Sequence, residues 1–436
     1  MSRPNLLIVT SHDLGRHLHS YGIDAVHSPN LDRFGSEGVR FANAFCTAPQ
    51  CSPSRASLFT GRWPHSNGVM GLTHAHFAWD LYRDEKHLAQ LLRAAGWRTA
   101  ALGIIHETRA PERMGFDYIL REGVGDAYPL TRAAIDYLKQ RPKDQPFYLQ
   151  VGYEEVHRSM YGYNAAPDFE RGVYVPPYLV DDFAARQDFA HFQGAVRKLD
   201  AAFGDLLAAL DAEGIAGDTL VIFAADHGIP FPRAKCSLYD PGLEIALLMR
   251  WPSGGWQAGQ VVAPMVSNID VAPTLLEVLD LPGPANLQGQ SFAPLLKGDP
   301  ARPREAIFGE MTYHDYCDPR RCIRTETHKL IVNFTAAPFF MDPSQQWRPS
   351  TVTRQPENPR FAYHAPVELY DLRDDPLETV NLASAPAHAA IRADLLHRLY
   401  AWMQATSDPL LSGIPHSPMH EWAIQALKTG ALAVEQ

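Results

Sequence analysis

The chain has 436 residues, 46% of them hydrophobic and 20% charged, which is enough for one large domain, or a large and a smaller one, with a sizeable core. A formal net charge of -10 gives no electrostatic reason to expect nucleic acid or an anionic membrane as partner. Five cysteines without paired spacing argue against a disulfide framework, and no stretch reaches the roughly 20 apolar residues of a membrane span.

In chain order, Met1-Ser2-Arg3-Pro4 leads at once into Asn5-Leu6-Leu7-Ile8-Val9-Thr10, too short an apolar run for a secretory signal and better read as a buried first strand. The expectation is therefore a soluble, cytoplasmic protein. Behind Cys51 and the Ser-Pro-Ser-Arg that follows it, a run reads as a helix. Helical spacing recurs over Lys86 to Ala95, Leu130 to Lys139 and Phe189 to Leu210, with Gly96 and Gly214 placed where helices stop. Short apolar runs at Leu6–Val9, Thr99–Leu102, Phe147–Val151, Leu220–Ala224 and Ala246–Met249 predict buried, mostly parallel strands. Strands alternating with helices indicate an α/β domain over residues 1–300, whose site lies beyond the carboxyl ends of its strands. The tyrosine-rich stretch Tyr161 to Tyr178 reads as a substrate-side loop.

After residue 300 the texture changes. Ile323-Arg324-Thr325 through Lys329-Leu330-Ile331-Val332 alternates like antiparallel strands, a proline-rich loop runs from Pro338 to Pro366, and a final helix is predicted from Ala387 to Ala405 behind Pro386. Residues 301–436 are thus expected to form a smaller C-terminal α+β subdomain with an antiparallel sheet. Cys317 and Cys322 lack a second pair that would make a zinc site and are expected to be reduced thiols, while Cys46 and Cys236 are small packing residues.

Three polar clusters follow predicted strands: Ser11-His12-Asp13, then His106, then Asp226-His227-Gly228. Carboxylates and imidazoles converging at strand ends suit a divalent cation, oxygen favouring calcium or magnesium and imidazole shifting the balance towards manganese or zinc. Taken singly, such an aspartate is more often a helix cap and such a histidine more often a structural group.

The string Cys51-Ser52-Pro53-Ser54-Arg55, followed by Ala56-Ser57-Leu58-Phe59-Thr60-Gly61, resembles the signature of the sulfatases of the alkaline phosphatase-like superfamily, in which the cysteine is oxidised to formylglycine. Further likenesses span the chain: Asn5 to Gly15 is similar to the family's first strand and metal pair, and Gly103 to His106 to its Gly-Lys-x-His turn. Asp226-His227-Gly228 is similar to its second metal pair, Lys235 before Leu238-Tyr239-Asp240-Pro241-Gly242 to its cationic loop, and Glu368 to Leu382 to its C-terminal signature. Within the family, Asn67-Gly68-Val69-Met70-Gly71-Leu72, Val156-His157-Arg158 and Gly228-Ile229-Pro230-Phe231-Pro232 resemble the sulfamidases, the N-sulfoglucosamine sulfohydrolases.

The resemblance implies an α/β/α sandwich and hydrolysis of a sulfate ester or sulfamate, on a small anionic sulfated substrate such as an amino sugar. It implies one divalent metal, calcium by family habit, and a formylglycine-generating enzyme as maturation partner. Hydrated formylglycine at position 51 would offer two geminal hydroxyls, one to attack sulfur and one whose deprotonation expels sulfate. By the same likeness, His12, Asp13, Asp226, His227 and the modified Cys51 bind the metal. Arg55 holds the developing alkoxide, His106 contacts the nucleophile as base, and His157 and Lys235 lie on the leaving-group side.

Two departures stand out: His12-Asp13 replaces the usual Asp-Asp, and Ile104 replaces a lysine two residues before His106. The second removes a cation from the sulfate pocket, with Arg109 and Arg158 as candidates to supply another. Hydrolysis of phosphodiesters or phosphonate monoesters is accordingly the alternative function, and a weakly active or non-catalytic binding homologue the second alternative.

Overall fold

The computed structural model describes residues 3–75, 77–121, 126–159, 162–298, 303–337 and 363–429. The strands are β1 (Asn5–Ser11), β2 (Val39–Phe41), β3 (Ala44–Phe45), β4 (Arg98–Gly103), β5 (Tyr118–Leu120), β6 (Phe147–Gly152) and β7 (Thr219–Ala225). They continue with β8 (Leu247–Arg250), β9 (Gln260–Val262), β10 (Val266–Ser267), β11 (Ile307–Tyr313), β12 (Cys317–Arg324), β13 (His328–Asn333) and β14 (Val367–Asp371).

Eight strands form the large sheet in the order β5-β4-β6-β1-β7-β8-β2-β9. At its centre, Leu6 to Val9 are fully buried, as an unbroken apolar run must be when helices cover both faces. β1 pairs in parallel with β6 (Ile8 opposite Gln150) and with β7 (Ile8 opposite Ile222). β8 departs from the expected parallel direction and runs antiparallel to β7. The reason is the connection: residues 226–246 hold only one short helical turn, Asp240–Leu243, with no helix to carry the chain back across the sheet.

The predicted helices are longer or shorter than their apolar periods because their caps decide where they begin. Asp126 Oδ1 accepts from Tyr128 N, so that helix starts at Ala127. Asp182 Oδ1 accepts from Ala185 N, so the long helix runs Phe183–Ala212, beginning well before Phe189. Behind the cap at His87 the third is only Leu88–Ala94. Gly96 (φ 99°) and Gly214 (φ 68°) adopt the left-handed conformation that ends a helix.

A second, four-stranded antiparallel sheet has the order β11-β12-β13-β14. Ile323, Leu330 and Leu369 on it pack with Leu395, Leu399 and Trp402 of the helix Ala389–Ala405 and with Trp63 and Ile269 of the preceding part of the chain. Pro386 opens a short 3-10 turn rather than this helix itself. The expected boundary at residue 300 and most of the loop from Pro338 to Pro366 lie outside the described residues. Beyond Asp408, where the sequence carries no clear period, a further helix spans Pro418–Thr429.

Candidate functional site

The carboxyl ends of β1, β4, β6 and β7 point to one edge of the large sheet, and the polar residues that follow them meet there. His12 and Asp13 follow β1, His106 follows β4, His157 follows β6, and Asp226 and His227 follow β7. Cys51 enters from the side as the first residue of the helix Cys51–Thr60, where free N–H groups favour an anion. His12, Asp13, Cys51, Asp226 and His227 are all buried and offer donor atoms within 4.8 Å of one another.

Backbone contacts fix this cluster. Asp226 Oδ1 accepts from Asp13 N and from His227 N, both at 2.9 Å, which holds Asp13 in a left-handed conformation (φ 56°). His12 N donates to Glu155 O, and Gly15 N to His227 O, so the turns after β1, β6 and β7 form one frame.

His227 Nδ1 lies 2.9 Å from Gly228 O, and since a carbonyl only accepts, that nitrogen carries the proton. In the neutral ring Nε2 is then a bare lone pair, yet it lies 3.0 Å from Asp13 Oδ1 and 3.4 Å from Cys51 Sγ. His12 Nδ1 is likewise 2.9 Å from Asp13 Oδ1. Acceptors facing acceptors need a proton or a cation between them. Burial opposes charge on both imidazoles, but Cys51, Asp226 and Asp13 push His12 up to about 9, and Asp226, Cys51 and Asp13 push His227 up to about 10. Burial would also raise the Cys51 thiol, yet His12, Lys235 and His227 hold it well below its ordinary value.

Lys235 Nζ donates to both oxygens of Asp13, at 3.0 and 2.9 Å, and so stands against that carboxylate as well as the cavity. His157 Nε2 lies 3.9 Å from Asp13 Oδ2, and burial, aided by Lys235, lowers it to about 3, leaving it neutral. His106 Nδ1 lies 3.4 Å from His12 Nε2, and burial lowers it too. Arg55 Nε donates to Asp226 Oδ2 at 3.0 Å, Nη1 to Thr10 Oγ1 at 2.8 Å and Nη2 to Ser11 O at 3.4 Å. It is 1% exposed and lies behind the cluster, outside the cavity wall.

Over the cluster opens a cavity of about 280 Å3 lined by His12, Asp13, Cys51, His106, His157 and Lys235, with Ile104 and Arg158 in the same wall. Arg158 is therefore at hand where the lysine is missing, its Nε 3.2 Å from Asp188 Oδ1. Arg109 instead lines the adjoining cavity. His74, Glu154, His314 and Asp315 also line the catalytic cavity and were not singled out from sequence. His74 sits in a histidine-bearing loop, and its ring lies 4.3 Å from that of His106. His314 and Asp315 follow β11, a strand of the other sheet, and Nδ1 of the one lies 3.0 Å from Oδ2 of the other.

The described part of the tyrosine-rich stretch is a loop, but Tyr174 and Tyr178 line a separate cavity with Arg16 and Glu244. All five cysteines are free thiols, and Cys46 is buried with Sγ 3.6 Å from Gly242 O. Cys236 is likewise buried.

The family described as Sulfatase matches residues 4–281, and that described as N-sulphoglucosamine sulphohydrolase, C-terminal matches residues 231–346. Human N-sulphoglucosamine sulphohydrolase is 32% identical over 465 residues, covering 94% of this chain and 91% of that protein. A structure solved in complex with its substrate D-glucosamine-2-N,6-O-disulfate superposes with a TM-score of 0.73 at 21% identity, covering 93% of this chain and 99% of that one. The phosphonate monoester hydrolase of Agrobacterium radiobacter gives a TM-score of 0.70 at 20% identity, over 93% of this chain and 96% of that one. At these identities the two structural likenesses establish the fold alone.

Proposed function

Because the chain belongs to the sulfatase family, we propose that it hydrolyses a sulfate ester or sulfamate of an amino sugar, through a formylglycine formed at Cys51 and one divalent metal. The observation that carries this reading is the convergence of Cys51, at a helix N-terminus, with four further buried donors on the floor of one cavity.

The donor set fits a cation. With the proton of His227 directed at Gly228 O, its Nε2 joins Asp13, Asp226, His12 and position 51 in offering lone pairs to one point. Two carboxylates suit calcium or magnesium, and the imidazoles shift the balance towards manganese or zinc. A divalent ion there would draw charge from the transferring sulfuryl group and lower the basicity of whatever oxygen it binds. Formylglycine hydrate would supply the nucleophilic hydroxyl and a second hydroxyl for sulfate release.

The chain's own residues divide the remaining work. Arg55 fixes Asp226 and places a positive charge behind position 51. Lys235 holds Asp13 and faces the sulfuryl oxygens from the cavity wall. His106, kept neutral by burial, takes the proton from the nucleophile, and neutral His157 hydrogen-bonds the leaving group. The likeness to human N-sulphoglucosamine sulphohydrolase supports an N-sulfated glucosamine as substrate. A cytoplasmic placement belongs to the same proposal, and cell fractionation tests it.

Phosphodiester or phosphonate monoester hydrolysis remains the second reading, favoured by one observation: Ile104 stands in the cavity wall in place of a cation. Turnover of glucosamine N-sulfate, an aryl sulfate and an aryl phosphodiester by the same metal-loaded preparation decides between them. A kcat/KM higher on the phosphodiester than on both sulfur substrates would overturn the first reading, and loss of sulfate release on chelation is expected under it.

A further inference from the structure

Across the turn after β7 from the catalytic cavity lies another, of about 240 Å3, that shares no lining residue with it. Ile229 lines this one and Pro230 the catalytic one. None of the five converging donors reaches it, and the reaction leaves it unused. Its other walls come from the turn after β1 that carries Arg16, His17 and Tyr21, from the loop that carries Tyr174 and Tyr178, and from Glu244.

Hydrogen bonds fix these walls in advance of any ligand. Arg16 Nη1 donates to Ala42 O at 2.8 Å, and Nη2 pairs with Glu244 Oε2 at 2.6 Å. Tyr21 OH accepts from Leu247 N at 3.0 Å, which holds that ring against the sheet. Buried Gln193, from the helix Phe183–Ala212, accepts from Tyr174 N at 2.9 Å and donates to Gly172 O at 3.0 Å, and so pins the tyrosine loop to the helix. His17 is 2% exposed and packs against the rings of Tyr174, Phe189 and Phe192, at centroid distances of 5.7, 5.9 and 4.9 Å. Burial lowers it to about 3, so the ring is neutral, and its Nε2 has no hydrogen-bond partner.

The chemistry of this lining selects its occupant. The one cation and the one anion among the lining residues pair with each other, so the cavity has no net charge with which to hold an anion or a cation. It presents instead a guanidinium and a carboxylate side by side, whose further N–H groups and lone pairs suit neighbouring hydroxyls, and tyrosine faces that suit the C–H face of a ring. His17 and Tyr174 touch at an interplanar angle of 51°, so this pair leaves no parallel slot for a flat aromatic base, whereas a puckered ring needs only one face. The volume lies below the roughly 300 Å3 at which ordinary ligand sites begin, and it admits one such ring rather than a chain of them.

We propose that this cavity is a non-catalytic binding site for one uncharged, polyhydroxylated ring, a neutral sugar or a cyclitol. Arg16 and Glu244 hydrogen-bond its hydroxyls, Tyr174 and Tyr178 cover its apolar face, and His17 offers Nε2 to a further hydroxyl. The site stands or falls independently of the reaction at Cys51.

Titration of the metal-loaded whole chain with methyl β-D-glucopyranoside and with myo-inositol, followed by saturation-transfer NMR, tests the site, and the two probes separate the sugar from the cyclitol. At least one probe is expected to bind saturably, and equally well to Cys51→Ser. Tyr174→Ala, at a position 36% exposed, and Glu244→Gln, which keeps the shape of the side chain, are each expected to weaken that binding by about tenfold or more. Absence of saturable binding of both probes to the unaltered chain overturns the site. So does binding that is unchanged in folded Tyr174→Ala and Glu244→Gln, or binding that is lost in Cys51→Ser, which would place the probes in the catalytic cavity.

Discussion

Two clusters in this molecule bury carboxylates, histidine and a guanidinium together, and they differ in where the lone pairs point. Between the two sheets, His65, Glu310 and Asp408 also bring three donor atoms within 4.8 Å. There Arg321 lies among them: Nε is 2.5 Å from Asp408 Oδ2 and 3.4 Å from Glu310 Oε2, and Nη2 donates to Asp408 Oδ1 at 3.0 Å. His65 donates to both Glu310 oxygens, through its backbone N at 2.8 Å and through Nδ1. Every carboxylate oxygen meets an N–H, the cluster is closed to the catalytic cavity, which none of the three residues lines, and His65 Nε2 is the atom left without a partner. At the catalytic edge, His227 Nε2, His12 Nδ1 and Cys51 Sγ face Asp13 and one another beneath an open cavity. The lesson is that buried charge alone does not mark a site. Buried donor atoms that converge on one point on the floor of an open cavity do.

The comparison breaks most visibly at Asp226. Asp226→Ala removes a ligand and the anchor of Asp13 N, and is expected to lower turnover by more than about a thousandfold and abolish stoichiometric metal in elemental analysis. A variant that kept both would show that the acceptors are not a metal site. In the closed cluster the cost should fall on stability instead. Asp408→Asn leaves Arg321 with Glu310 and its carbonyl partners, so a loss of about 3 kcal/mol is expected in denaturant unfolding, at the low end for a broken buried pair, with metal content unaltered.

How much of this contrast was legible in the sequence depended on chain distance. Cys51 to Arg55 and Asp226-His227 are contiguous strings at element ends, so a short motif carries them, and the buried runs of β1, β4, β6 and β7 carry the strands that place them. The three-residue strands β2 and β9 are too short to show a period. His314 and Asp315 enter the cavity from a turn of the other sheet, so nothing local to them signals the site. Arg55 was legible as a site residue, but only the fold shows its donors directed to Asp226, Thr10 and Ser11.

Glu368 sharpens the closed side of the contrast. Its oxygens accept from His364 Nδ1, Asn333 Nδ2, Tyr239 OH and Tyr370 OH at 2.7–2.8 Å. Burial would raise this carboxyl, yet those donors, His364 first, lower it to about 2. Its folded value lies below the ordinary value of about 4.3, so its stabilisation is present above that pH and is lost as the pH falls from there through about 2. Glu368→Gln is expected to lower stability by about 2 kcal/mol near neutral pH, with the gap to the unaltered chain narrowing in unfolding curves taken below about pH 4. A gap independent of pH would mean that the charge is not what the four donors hold.

The smallest effect is expected at Ile104, on the open side. Ile104→Lys adds a cation to the cavity wall, and desolvation offsets part of its attraction for sulfate, so kcat/KM on an aryl sulfate should rise by less than about tenfold. A fall on aryl sulfate, glucosamine N-sulfate and an aryl phosphodiester alike, with metal and fold intact, would show that the apolar wall itself serves the substrate.

The central claim is that the buried cluster beneath the cavity serves a formylglycine at position 51, and the most direct measurement is of that residue. Protein produced at graded levels of a formylglycine-generating enzyme can be analysed by peptide mass for the conversion of Cys51 from thiol to aldehyde, and assayed in the same samples for sulfate release. Turnover should rise in proportion to the converted fraction and extrapolate to zero for the thiol. Full activity from protein whose Cys51 is wholly unconverted would contradict the account.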